Sequence, residues 1–181
     1  EQELTHQAFH DPLTGLANRA LFLDRVSHAL TLARRQGRQV SILYLDLDDF
    51  KKVNDSMGHS EGDRVLAATA ERLRSGARLG DTIARLGGDE FAILIEDAAG
   101  SDGLSIAVER FQAAFRQPFV LGGNEVAMSL SIGVATAQEA DVADELLRNA
   151  DMAMYSAKRR GKGRAETFEA HMYVDVRQRL E

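Results

Sequence analysis

Two places in this chain gather more carboxylate than folding requires. The first is the end of the run Val40-Ser41-Ile42-Leu43-Tyr44-Leu45-Asp46, with Asp48 and Asp49 just beyond it. The second is Asp89 and Glu90 in Gly87-Gly88-Asp89-Glu90, between Thr82-Ile83-Ala84 and Ala92-Ile93-Leu94-Ile95. A tight turn asks for one Asp or Asn at most, so an acidic pair at its tip is surplus. Adjacent glycines permit positive φ and let another group approach the backbone closely. Glycines and acids at one loop tip suit a phosphate ligand carried by a divalent metal. Two or three carboxylates around Mg²⁺ are the equipment of two-metal phosphoryl and nucleotidyl transfer.

For that chemistry the two places must meet. The nearly continuous apolar run 40–46 reads as a buried central strand, and α/β folds place their chemistry off the C-terminal ends of such strands. Two apolar runs around Gly-Gly-Asp read as a hairpin over 82–96. If that hairpin pairs beside strand 40–46, Asp46 and Asp89 converge.

The remaining elements follow from periodicity and punctuation. Residues 1–10 read as the tail of an incoming helix. Asn18 caps a helix with the stripe Phe22, Val26, Ala29, Leu30 and Ala33, which Gly37 stops. An acidic loop is expected from Asp46 through Gly58. Ser60 is expected to cap a helix carrying Val65, Thr69 and Leu73, with Asp63 at its third position. Leu104, Ala107, Val108, Phe111 and Phe115 mark a helix over 103–116, ended by Pro118. A second hairpin is expected from 119–121 and 126–135 around Gly122-Gly123-Asn124. Leu146, Leu147, Ala150 and Met154 mark a helix over 143–160, followed by a short strand near 165–168. The order βαββαβ, with additions, is that of a ferredoxin-like α/β (α+β) fold: a central, mostly antiparallel sheet flanked by helices. Residues 169–181 start a further helix.

Bulk properties narrow the function classes. The chain has 181 residues, 44% of them hydrophobic and 28% charged, which suits one soluble domain. A net charge of −6 disfavours a general nucleic-acid binder but not a nucleotide substrate. There is no cysteine, and the five histidines lack zinc-motif spacing. No apolar run reaches the length of a membrane span, and no signal peptide is visible. The chain begins with Glu, so it is expected to be excised from something longer.

The motifs together resemble the GGDEF domain, the catalytic domain of diguanylate cyclases. Gly87-Gly88-Asp89-Glu90-Phe91 would arise at a fixed position by chance about once in a million. It is accompanied, in order, by Asp11-Pro12-Leu13-Thr14-Gly15-Leu16-Ala17-Asn18-Arg19, by Asp46-Leu47-Asp48-Asp49-Phe50-Lys51-Lys52-Val53-Asn54-Asp55, by Gly58-His59 and Gly62-Asp63, by Ser129 through Ala135, and by Ala150 through Lys158. The resemblance places the GGDEF domain at 11–168, the end of a linker helix at 1–10, and at 169–181 a connector like those leading into EAL phosphodiesterase domains. It implies the palm-type fold of nucleotidyl cyclases, and condensation of two GTP into cyclic di-GMP with loss of two pyrophosphates.

Carried over residue by residue, the resemblance makes Asp46, the Leu47 carbonyl, Asp89 and Glu90 ligands of two Mg²⁺ or Mn²⁺ ions. Asp89 also stands where a base for the ribose 3′-hydroxyl is wanted, with Glu90 as further ligand or support. Asn54 and Asp63 become guanine readers; a turn residue and a helix cap are their plainer explanations. Gly87, Gly88, Phe50, Lys51, His59, Lys158 and Lys162 become substrate contacts, although His59 reads almost as well as a neutral surface residue. Where the family has Arg, this chain has Lys162, which keeps the charge but loses the bidentate fork. Arg159, Arg160 and Arg164 either compensate or decorate a helix end. Arg78 and Asp81 match the pattern of a product-inhibition site. Each domain is expected to hold one GTP, so a homodimer is required, with an upstream sensor, an adjacent EAL domain and a cytoplasmic location. A membrane anchor elsewhere in the full-length protein is compatible with that location. The rival readings are a GTP-binding module that regulates a phosphodiesterase and a cyclic di-GMP receptor acting through Arg78 and Asp81.

Overall fold

A computed structural model describes residues 8–97 and 100–173. Most of the incoming helix expected at 1–10, and the connector beyond residue 173, lie outside those residues. The elements are α1 (Arg19–Gln36), β1 (Val40–Leu47), α2 (Phe50–Met57), α3 (His59–Gly76), β2 (Thr82–Gly87), β3 (Glu90–Glu96), α4 (Gly100–Ala114), β4 (Phe119–Leu121), β5 (Asn124–Val126), β6 (Leu130–Thr136), α5 (Ala143–Arg159) and β7 (Ala165–Thr167). Five strands form one sheet in the order β2-β3-β1-β6-β7, antiparallel except for the β6–β7 pair. This is the ferredoxin-like order with one added edge strand.

Local chemistry explains the boundaries. The Asn18 side chain accepts from Leu21 N–H, and Gly37 closes α1 at φ 66°. All eight residues of β1 are buried because helices cover both sheet faces. Leu43, Leu45 and Leu47 join α3 and α4 in one core, while Ile42 and Tyr44 join α1 and α5 in the other. Gly133 sets the fit of the second. A Cβ there would stand 1.9 Å from the Ala150 carbonyl oxygen and 2.2 Å from the Met154 nitrogen. Its absence lets α5 lie directly on β6, which carries the end of α5 over the tip of β1.

Three expectations need correction. The acidic loop is largely a helix, α2: its charged residues obscure an inner face made by Phe50 and Val53, with Met57 packed beside them. Helix α3 starts at His59 after Gly58, whose φ of 89° makes the reversal. Ser60 is therefore not the cap, and Asp63, two positions beyond the third, has no capping role. The second hairpin is shorter than expected. Residues 119–121 pair with 124–126 as a separate ribbon, Met128 turns into the core, and 130–136 crosses to pair with β1.

Candidate functional site

Register brings the two acidic places together. Asp46 lies opposite Glu90 in the β1–β3 ladder, and the Leu47 N–H bonds the Asp89 carbonyl at 3.4 Å. The turn is drawn tight by glycine, with Gly87 at φ 144° and Gly88 at φ 49°. Arg85 fixes it. Its Nε and Nη2 donate to the Gly88 carbonyl at 3.0 and 2.9 Å, and its Nη1 pairs with Asp11 at 3.0 Å. Asp11 in turn accepts from the backbone and hydroxyl of Thr14.

Asp46 is 7% exposed and lies close enough to the Asp89 carboxyl for the two acids to influence each other. Its Oδ2 pairs with Lys158 Nζ, on α5, at 2.9 Å. Its Oδ1 is buried and has no hydrogen-bond partner among the described residues. Burial pushes the Asp46 carboxyl up to about 7; Lys158 opposes the shift and Asp89 adds to it. A buried acid with an orphan oxygen, beside the half-buried Asp89, fits a hard cation, which would satisfy that oxygen and favour the ionised form. Among the described residues no three His, Asp or Glu side chains are grouped as a finished cage. The donor set therefore suits an ion that keeps water or phosphate oxygens as further ligands.

Glu90 points elsewhere. The Tyr44 hydroxyl donates to its Oε2 at 2.8 Å. Asp151, on α5, is pushed up by burial and then by the Glu90 charge, with Arg19 opposing. The Tyr44 phenol is pushed up by burial, by Asp151 and by its bond to Glu90. Tyr44 and Asp151 were not singled out from sequence. The signal was the one aromatic residue of the run 40–46, its hydroxyl two residues before Asp46.

Asp48 is buried and locks the neighbourhood. It accepts from Ser129 and Ser131 hydroxyls at 2.6 Å each and from Gly163 N–H at 2.9 Å. That last bond ties the turn after α5 to the end of β1. In the same turn Lys162 pairs with Asp49 at 2.9 Å. Phe50 is buried at the start of α2, with Lys51 exposed beside it. Asn54 projects from α2 against α3, where a Cβ on Gly62 would stand 1.8 Å from its Oδ1. That Oδ1 is buried and has no hydrogen-bond partner among the described residues. Asp63 and His59 are exposed on α3. Arg160 and Arg164 are drawn to Glu166, at 3.2 and 3.0 Å, so neither is set to compensate for Lys162.

Arg78 and Asp81 lie beyond the far end of β2 from the turn, a strand about 16 Å long by strand rise. Asp81 accepts from Arg78 N–H at 2.8 Å, closing the loop. Arg110, on α4, bonds the Gly76 carbonyl and brings Nη2 within 4.0 Å of Asp81; that nitrogen is buried and has no hydrogen-bond partner among the described residues. Arg110 joins this loop only through the fold, 29 residues after Asp81 in sequence.

Comparison with known proteins fits this geometry. Residues 8–164 match the family described as diguanylate cyclase, GGDEF domain. The chain is 48% identical over 163 residues to the diguanylate cyclase TpbB of Pseudomonas aeruginosa, covering 88% of this chain and 37% of TpbB. It is 42% identical over 181 residues to the bifunctional diguanylate cyclase/cyclic di-GMP phosphodiesterase MucR of the same organism, covering 99% of this chain and 26% of MucR. The solved GGDEF domain of TpbB superposes with a TM-score of 0.89, at 41% identity, over 93% of this chain and 99% of that one. The GGDEF domain of DgcB from Caulobacter crescentus, solved in complex with c-di-GMP, superposes with a TM-score of 0.83, at 30% identity, over 88% and 95%. This chain thus spans well under half the length of the curated relatives it matches.

Proposed function

The chain belongs to the GGDEF domain family, and from that premise we propose that it condenses two GTP into cyclic di-GMP, releasing two pyrophosphates. In each of two steps a ribose 3′-oxygen bonds to the α-phosphorus of the other GTP, and the bond from that phosphorus to pyrophosphate breaks. The observation that carries the reading is the meeting of Asp46 and Asp89, one an orphaned buried acid and the other at a glycine turn open to a ligand.

Asp46, Asp89 and the Leu47 carbonyl would hold Mg²⁺ or Mn²⁺, two ions in the full reading. When bound, those ions would supply the positive charge that acidifies the 3′-hydroxyl and offsets charge at phosphorus. Asp89 is the base that takes the hydroxyl proton. Glu90 is held by Tyr44 beside this pair, as support or as ligand to the second ion. Lys158 and Lys162, with the backbone N–H groups around Phe50 and Lys51, neutralise the phosphates. Asn54 and Asp63 border the α2–α3 cleft as guanine readers, and His59 opens α3 at its rim. Gly87 and Gly88 keep the turn clear for the substrate. A single site holds one GTP, so turnover requires two chains face to face. GTP as substrate fits a cytoplasmic location, and the greater length of the matched relatives, MucR with a second activity among them, favours a longer protein with an upstream sensor and an adjacent EAL domain.

Arg78, Asp81 and Arg110 form a second site, for cyclic di-GMP. Arginine matches guanine O6 and N7, and a carboxylate matches its N–H donors. The buried Nη2 of Arg110, which has no hydrogen-bond partner among the described residues and only a long ion pair with Asp81, favours a ligand there. The test is incubation of the domain with GTP and Mg²⁺, with nucleotides resolved by chromatography. Cyclic di-GMP should accumulate with the parent and not with Asp89→Ala. GTP binding without product would leave the regulatory-module reading standing instead.

A further inference from the structure

The two lysines assigned to phosphate are both already bound to carboxylates, but not equivalently. Lys158 sits on Asp46, with side chains 27% and 10% exposed. In the proposed function Asp46 has another occupant, a divalent cation, so Lys158 can be released as substrate and metal arrive. Lys162 sits on Asp49, which no other role claims. Asp49 also pairs with Lys52 at 3.2 Å, so one carboxylate holds two ammonium groups. The arrangement is built at a conformational cost. Asp49 and Lys162 both adopt φ 62°, and they are two of only three non-glycine residues with positive φ among the described residues. The Gly163 bond to Asp48 fixes the loop that presents Lys162. The Asp49 side chain makes no capping bond to α2; only its backbone carbonyl accepts, from Lys52 N–H at 2.9 Å. Its side chain is thus aimed at the lysines rather than at the helix it precedes.

We propose that Asp49 is an affinity-setting residue: a resident anion that occupies Lys162 and Lys52 and competes with the nucleotide's phosphates for them. A triphosphate must displace Asp49 from Lys162 or accept its charge nearby, and either weakens binding. The inference rests on the reading of Lys162 as a phosphate cation. Exposed ion pairs are individually weak, so the effect is modest and sensitive to salt.

Asp49→Asn removes the charge, and Asn tolerates the left-handed backbone. Calorimetric titration with a non-hydrolysable GTP analogue and Mg²⁺ should give about three- to fivefold tighter binding than the parent at low salt. The gain should shrink below about twofold near 0.5 M salt. Asp49→Gly, relaxed at this φ, should reproduce it. In a Lys162→Ala background the gain from Asp49→Asn should fall by at least half, since the competed cation is gone. If the parent and Lys162→Ala behave as expected but neither Asp49 variant binds more tightly, Asp49 is no competitor and the proposal fails alone. If the parent binds no analogue, or Lys162→Ala binds as well as the parent, the phosphate reading of Lys162 fails and takes the proposal with it.

Discussion

The two faces of β1 are equally buried and differ in kind. Toward α3 and α4 it presents Leu43, Leu45 and Leu47, packed with Val65, Leu73, Ile93 and Phe111. Toward α1 and α5 it presents Ile42 and Tyr44, packed with Phe22, Val26 and Leu146, and then Asp46, paired with Lys158. The second face begins as core and ends as chemistry within five residues. The polar groups collect where the covering helix runs out and the hairpin turn closes over the strand end. Stability and chemistry are thus carried on opposite sides of one strand. A side chain's role follows from its face and its distance to the strand end, not from its burial.

Adjacent substitutions should separate the two faces most sharply. Leu45→Ala empties a fully buried site and should cost about 2–5 kcal/mol in denaturant unfolding. Asp46→Ala, one residue on, should stay within about 1 kcal/mol of the parent, because it deletes an acid that burial already penalises. Its GTP turnover should nonetheless fall beyond the roughly 10–100-fold typical of losing an outer-shell metal partner. An Asp46→Ala protein that unfolds as readily as Leu45→Ala would erase the distinction.

Gly133→Ala tests whether α5 depends on close approach to the sheet. The added methyl would meet helix backbone rather than a movable side chain. Unfolding should be easier by about 3 kcal/mol. Turnover should drop as well, because Lys158 reaches Asp46 only from α5 seated against β6. Full turnover despite the destabilisation would show that the helix can retreat without disturbing the site.

Much of this architecture was legible in the sequence where the signal is periodic. The stripe Phe22, Val26, Leu30 and the run 40–46 declare a helix and a strand, and Gly-Gly-Asp between apolar runs declares the hairpin that joins Asp89 to Asp46. What escaped was short or non-local. Helix α2 has too few apolar residues among Lys51, Lys52, Asn54 and Asp55 to show its period. Met128 interrupts an apolar stretch that sequence reads as one strand, because nothing local says where a chain leaves a ribbon for a sheet. The bonds from Tyr44 to Glu90, Lys162 to Asp49 and Arg85 to Asp11 span 46, 113 and 74 residues, so only the folded topology supplies them.

Asp46 should make stability depend on pH on the chemical face. Asp46 in the folded chain holds its proton up to about 7, well above the ordinary value of 3.8. The folded state therefore binds this proton more tightly than the unfolded state. The associated stability is complete below about pH 4 and is lost progressively as pH rises through 7. With a chelator present, the parent should lose about 2 kcal/mol of stability between about pH 5.5 and 8.5 relative to Asp46→Asn, which has no such proton. Mg²⁺ should narrow the difference by favouring the ionised acid. Parallel pH curves for the two proteins would mean that Asp46 is not penalised by burial.

The smallest effect should come from Tyr44→Phe, at the point where the core of this face gives way to its site. The ring fills the same space in both residues, so no cavity opens, and only the hydroxyl is removed. Tyr44 is 2% exposed, while Glu90 is half-buried and can replace the lost donor with water. The cost should be about 1 kcal/mol, the net worth of one hydrogen bond whose acceptor stays solvated. Thermal denaturation reads that directly. A loss above about 3 kcal/mol would mean that the hydroxyl holds the core together. Tyr44 would then belong with Leu43 and Leu45 as a stabilising residue, and the boundary between the two roles would move to Asp46 itself.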